Sequence, residues 1–171
     1  VLDPFSGSGA WALAATINGF QFHGIELRPD VAVASREMVE RHCGVAPAIV
    51  QGDASDAASY PSGLFDAVLT CPPYGPLEIY SDDPKDLSTL PHEEFLMSIQ
   101  MVLQHTLIRV YEGAFAVWVV GNWIGADGTY VDFRGELIRL AKAVGWKFHD
   151  DVVLVGKLGT AGQRVGNSWR R

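Results

Sequence analysis

Four stretches of the chain carry residue types that could do chemistry, and they follow one another at intervals typical of strand–helix units. The first is Asp3-Pro4-Phe5-Ser6-Gly7-Ser8-Gly9. With Ala12 its glycines match a G-x-G-x-x-A spacing, in which missing side chains let the backbone approach a ligand at a helix N-terminus. Such a loop serves NAD, FAD or S-adenosylmethionine alike, or simply packs a helix on a strand. The second is Glu26, which lies 23 residues after Asp3. An acid roughly 20 residues beyond a glycine loop can accept both hydroxyls of a ribose. The third is Gln51-Gly52-Asp53, whose carboxylate could take the exocyclic amine of an adenine ring or cap the short turn over 54–59. The fourth is Thr70-Cys71-Pro72-Pro73-Tyr74. Its two prolines have no N–H to offer, leaving the Cys71 and Pro72 carbonyls without a local amide partner beside the aromatic face of Tyr74. A rigid acceptor next to a stacking ring suits a planar base that bears an amine.

These stretches need strands to hold them. Periodicity predicts strands over Val1–Asp3, Phe20–Leu27, Ala46–Gly52, Phe65–Thr70, Ala114–Gly121 and Lys147–Val155. It predicts helices over Ala10–Asn18, Asp30–His42, His92–Tyr111 and Val131–Val144. Alternation of this kind implies right-handed crossovers and an α/β fold with a mostly parallel sheet and helices on both faces. Pro29 and Asp30 suit a helix start, and Gly44 a helix end. All four stretches then fall at the carboxyl ends of successive strands, where an open α/β sheet binds its ligand. The long irregular segment from Pro72 to Leu90 is of a length usually reserved for function.

The 171 residues fit a single domain, and 48% apolar with 19% charged residues can build a packed core. Cys43 and Cys71 are too far apart for a metal knuckle or a C-x-x-C redox pair, so a reducing, cytoplasmic setting is expected. No apolar run approaches the ~20 residues of a membrane span. A net charge of −7 argues against a self-sufficient nucleic-acid binder. The charge is uneven: residues 1–156 carry 9 Lys/Arg against 20 Asp/Glu, a net −11, and residues 157–171 carry 4 basic residues and no acidic one. Val1 opens on the stub of a strand and the last residues are polar and basic. The expectation is one catalytic domain over 1–171, cut from a longer protein, with a basic segment over 157–171.

The motif from Asp3 to Gly9, followed by Thr70-Cys71-Pro72-Pro73-Tyr74, resembles the amino-group DNA methyltransferases, which methylate adenine N6 or cytosine N4. More narrowly, Cys71 through Ser88 is similar to phage and prophage DNA methylases often fused to a ParB-like domain. The resemblance implies a Rossmann-like fold with a seven-stranded sheet, of which the final antiparallel strand would be lacking here. It implies S-adenosylmethionine as cofactor, with Asp3, Phe5, Gly7 and Gly9 at its methionine end, Glu26 on its ribose and Asp53 on its adenine. Cys71, Pro72, Pro73 and Tyr74 would form the catalytic motif. The partner implied is DNA, reached through a recognition domain, fused or separate, so this chain alone should bind DNA weakly. Cys71 departs from the Asp, Asn or Ser usual at its position, and a thiol is a weak acceptor. Its order before the prolines also differs from the Pro-Cys of cytosine-C5 enzymes.

Other residues carry less. Asn122-Trp123 reads as a rim position, the five histidines lack metal-ligand spacing, and Asp82, Asp83 and Asp86 read as a solvated loop. No metal is expected. The alternatives are an RNA or protein-glutamine N-methyltransferase and a non-catalytic subunit that binds cofactor or DNA.

Overall fold

At the centre of the molecule lies a strand of only two residues, β1 (Leu2–Asp3), both buried. In the computed structural model, which describes residues 1–125 and 127–154, β1 is flanked in parallel by β2 (His23–Glu26) and β4 (Phe65–Thr70). Beyond β2 lies β3 (Ala48–Gln51), and beyond β4 lies β5 (Val110–Trp118), giving the parallel order β3-β2-β1-β4-β5. Chain order reverses between β1 and β4. The connections leave in opposite directions there, which opens a crevice beyond the carboxyl ends of the strands.

Alternate residues of a strand face opposite layers. Val1 therefore packs with Ala12, Ala15, Ala32 and Val39 of helices α1 (Ala10–Ile17) and α2 (Pro29–Cys43), while Leu2 joins Ile25, Tyr60 and Val68 on the other face. The second face is covered by α3 (His92–Leu107), whose His105 ring lies 5.3 Å from that of Tyr60. Helical spacing sets Phe95, Ile99 and Leu103 of α3 against Phe133 and Leu137 of α4 (Phe133–Val144), with Trp123 between them. Each such side chain contributes about 1.5–3 kcal/mol when fully buried. Pro29 starts α2 with Asp30 in its first turn, and Gly44 ends it in a left-handed conformation.

Several boundaries differ from those that periodicity predicts. Helix α3 stops at Leu107, and residues 110–111 belong to β5, which in turn ends at Trp118. The apolar spacing runs on through Ile108 and Val110, so nothing in it marks the turn made by the Arg109 amide on the Thr106 carbonyl. Strand pairing slips between Phe65 and Ala67, and Gly113 takes φ 82° opposite the slip. Val131 does not start a helix. It pairs instead in an antiparallel hairpin of β6 (Trp123–Ile124) and β7 (Tyr130–Val131), and α4 begins after the Asp132 cap. The strand predicted at Lys147–Val155 does not form over residues 147–154. Val152, Val153 and Leu154 are strongly exposed and pair with no described strand. Val155 and the basic segment 157–171 lie outside the described residues. No described helix is long and apolar enough to cross a membrane.

Candidate active site

The glycine loop leaves β1 at Asp3 and is clasped from two sides. The Glu26 carboxylate of β2 accepts the Gly7 amide through Oε2 at 2.9 Å and the Arg28 amide through Oε1 at 2.9 Å. From α2, the Ser35 hydroxyl donates to the Gly7 carbonyl at 2.6 Å. Gly9 then opens α1 at φ 82°, and a Cβ there would sit 3.0 Å from the Ser35 side chain. Glycine is needed at this point for both conformation and closeness. The loop thus forms one wall of a cleft of about 390 Å³ at the switch point.

Beneath that wall Asp3 is fully buried. Its Oδ1 accepts the Phe5 amide at 3.0 Å and the Thr70 hydroxyl at 2.6 Å, while Oδ2 is buried without a partner. Burial pushes this carboxyl up to about 7, against the two hydrogen bonds, and the nearby Glu26 adds to the rise. Glu26 is also raised, again chiefly by burial, with the Arg28 and Gly7 amides opposing. The unused Asp3 oxygen is thus a buried acceptor without a partner behind the glycine-loop wall.

The cleft is lined by Phe5, Gly7, Glu26, Asp53, Cys71 and Pro73 among the residues singled out in the sequence. Asp3, Gly9, Pro72 and Tyr74 are not on its surface and support it from behind. Asp53 lines the cleft, yet its Oδ1 is occupied by the Ser55 amide and hydroxyl at 2.8 and 2.6 Å. Asp53 thereby caps the start of the turn over 54–59, and Asp56 caps its 3₁₀ part, Ala57–Ser59. The Tyr60 hydroxyl on the Ala54 carbonyl and His105 on the Ser55 carbonyl hold this corner in place.

Sequence reasoning missed the remaining wall. Tyr80, Ser81, Lys85 and Leu87 line the cleft from the segment after the proline motif, and Leu27 and Arg28 from the β2–α2 turn. Buried Asp86 organises that segment: Oδ1 accepts the Ser88 amide and hydroxyl, and Oδ2 the Ser81 hydroxyl. Arg28 donates to the Tyr80 carbonyl at 3.0 Å and pairs with Asp30, tying the segment to the far side of the cleft. The one signal for this was the length of the segment. Among the described residues, no group of three or more His, Cys, Asp or Glu side chains converges as a metal site would require.

The Thr70–Tyr74 motif leaves β4 beside the end of β5. Neither the Cys71 nor the Pro72 carbonyl accepts a backbone hydrogen bond from the described residues. The Tyr74 ring is half-buried against the Trp118 and Trp123 cluster. Its hydroxyl lies 3.1 Å from the Cys71 sulfur and donates to the Val119 carbonyl at 3.5 Å. Gly75 follows at φ 54°, where a Cβ would meet the Trp123 ring at 2.7 Å. Trp123, for which the sequence suggests core or rim packing, is buried and braces the motif. Gly75→Ala is therefore expected to cost about 1–3 kcal/mol, from the left-handed strain and the collision, with the loss measurable as a lower urea midpoint.

Sheet order, the glycine loop and the acidic residues at successive strand ends define the class: this is the fold of the S-adenosylmethionine-dependent methyltransferases. No protein-family model matches the chain. It is 30% identical over 127 residues to a tRNA (guanine(10)-N2)-dimethyltransferase of Pyrococcus abyssi, spanning 73% of this chain and 37% of that one. It is 38% identical over 93 residues to a 4-amino-L-phenylalanine/4-methylamino-L-phenylalanine methyltransferase of Streptomyces pristinaespiralis, spanning 53% of this chain and 31% of the relative. The chain thus spans about a third of the length of these curated relatives. Among solved structures it superposes on a TehB-like SAM-dependent methyltransferase of Corynebacterium glutamicum with TM-score 0.55 and 18% identity, over 84% of this chain and 63% of that one.

S-adenosylmethionine fits the residues present. Its ammonium and sulfonium cations match the unpartnered Asp3 oxygen and the acidic end of the cleft, and its ribose diol matches Glu26, whose oxygens each keep a free lone pair. Glu26→Ala should weaken cofactor binding roughly a hundredfold, because the ribose hydrogen bonds and the Gly7 anchor are lost together. Calorimetry would check this, and an unchanged Kd would remove Glu26 from the ribose.

Proposed function

We propose that the protein transfers a methyl group from S-adenosylmethionine to an amine carried on an aromatic ring, the ring being a nucleobase turned out of its strand. The observation that carries this is the proline motif at the end of β4: two uncommitted backbone carbonyls and a sulfur beside the cofactor cleft, next to a tyrosine ring. The named substrates of the two relatives share the same chemistry, an amine on an aromatic ring, and support the reading.

The cofactor supplies an activated methyl group on a sulfonium. The chain's own task is alignment and electrostatics. Asp3 and Glu26 would hold the cofactor, at its methionine end and its ribose respectively. An aryl amine is a poor nucleophile because its lone pair is delocalised into the ring. Carbonyls of Cys71 and Pro72 that accept its N–H protons hold the lone pair on nitrogen and aim it along the line of displacement. Tyr74 stacks on the extruded ring, a contact worth about 1–3 kcal/mol per base. Thr70 is fully buried and donates its hydroxyl to Asp3, so it is turned away from an incoming amine.

Adenine N6 or cytosine N4 in DNA is the target that the motif resemblance favours, with base recognition supplied by another domain or partner. The Pyrococcus relative favours a second target, a guanine amine in RNA. The test is incubation with methyl-labelled cofactor and, in parallel, duplex DNA, tRNA and 4-aminophenylalanine, followed by nucleoside or amino-acid analysis. Label on a ring amine is expected. Label confined to oxygen or carbon acceptors would refute the proposal.

A further inference from the structure

We propose that the Tyr74 hydroxyl is a positioning group for Cys71: it accepts the thiol proton while donating its own to the Val119 carbonyl, so that the sulfur turns lone pairs toward the cleft. Only the use made of those lone pairs rests on the methyl-transfer reading above.

The direction of the relay follows from proton counting. The Val119 carbonyl can only accept and lies 3.5 Å from the phenol oxygen, and the relay gives it the single phenol proton. The same phenol oxygen lies 3.1 Å from the Cys71 sulfur. With the phenol proton spent, that contact is a hydrogen bond only if the thiol is the donor. Both bonds of the resulting S–H···O–H···O=C chain then polarise in one direction, and each strengthens the other. Burial raises the Tyr74 phenol above its usual range. Cys71 also lines the cleft beside Pro73.

The consequence concerns the residue that departs from the resembled family. Asp, Asn or Ser would present an oxygen acceptor there. A thiol left to itself would offer either a proton or a lone pair. Once its proton is drawn toward Tyr74, sulfur offers the incoming amine an acceptor only, weak but correctly signed, beside the Pro72 carbonyl.

The test is the isolated S–H stretching band in the infrared spectrum of the chain, recorded without substrate, with the Cys71 band assigned by its loss in Cys71→Ala. Tyr74→Phe, which keeps the ring, is expected to move that band to higher wavenumber as the donor bond disappears. An unmoved band overturns the relay. Should Tyr74→Phe not fold, the wild-type band is compared with that of the urea-unfolded chain, where a rise is expected and no change overturns it. In methyl transfer, Cys71→Ala should lose about tenfold in rate, and Cys71→Ser, which keeps an acceptor at that position, should lose less. Full activity in Cys71→Ala would show that the lone pairs are not used. Because the band is read without substrate, a failure to methylate any ring amine would defeat the proposed function and leave the relay to be judged by the spectrum.

Discussion

Asp3→Asn is expected to make the folded chain more stable at neutral pH while making it a poor binder of cofactor. Burial raises the folded-state carboxyl from 3.8 to about 7. A raised acid stabilises the fold fully only below its unfolded value. From about pH 4 to pH 7 the unfolded chain gives up the proton while the folded one retains it, so stability falls across that window and levels off above it. At about 1.4 kcal/mol per unit, the whole window is worth roughly 4 kcal/mol. Asparagine has the same shape and no charge, but it leaves a buried amide unpaired where Oδ2 now sits, at about 1–3 kcal/mol. The variant should therefore gain about 1–3 kcal/mol at pH 8 and lose about 1–2 kcal/mol at pH 4, where little charge penalty is left to relieve. Urea titrations at both pH values read this directly.

The same residue sets the pH dependence of binding. A cation on the carboxylate favours its ionised form, so loading the cofactor below pH 7 must expel a proton. Affinity should rise up to about tenfold per unit from pH 5.5 to 7. Calorimetry in buffers of different ionisation enthalpy would count the proton. A wild-type affinity that is flat over that range would mean that the unpartnered oxygen of Asp3 does not meet the cofactor's charge.

What is legible in the sequence and what is not is a matter of range. The glycine loop, Glu26 and the proline motif are legible because backbone conformation and residue type are fixed within a few positions: Gly9 must be left-handed, Pro72 and Pro73 cannot donate. Parallel strands follow from alternation, since crossovers force the pairing. The end of α3 and the start of β5 were not legible, because Ile108 and Val110 continue the apolar spacing while the turn is made by backbone hydrogen bonds that carry no side-chain signal. The hairpin at Trp123 and Tyr130 is only two residues deep on each side, too short for periodicity to register. Arg28 and Tyr80 are 52 positions apart and meet only because the sheet order brings the β2 turn opposite the segment after β4. Asp53 shows the opposite failure. Its strand-end position is as the pattern requires, but half its carboxylate is committed to Ser55, a local bond that strand position does not encode.

Tyr74→Ala should abolish most methyl transfer while leaving cofactor affinity almost unchanged, because the two functions are separated by geometry. The ring is absent from the cofactor cleft, whose wall at this point is Cys71 and Pro73. It packs on the Trp118 and Trp123 side, toward the face from which an acceptor must come. Losing the ring removes the base stack, about 1–3 kcal/mol, which alone is a factor of roughly ten to two hundred. It also releases the Cys71 thiol proton and loosens the two prolines whose carbonyls aim the amine. Truncating a half-buried aromatic will lower stability too, by up to about 3 kcal/mol, so rates should be compared at a temperature where both proteins are fully folded. Tyr74→Phe divides the loss: it restores the stack but not the hydroxyl, and its rate should fall between wild type and alanine. If alanine weakened cofactor binding as severely as it slowed transfer, Tyr74 would be a scaffold for the cleft and not the platform for the base. If phenylalanine were as slow as alanine, the hydroxyl relay would outweigh the ring.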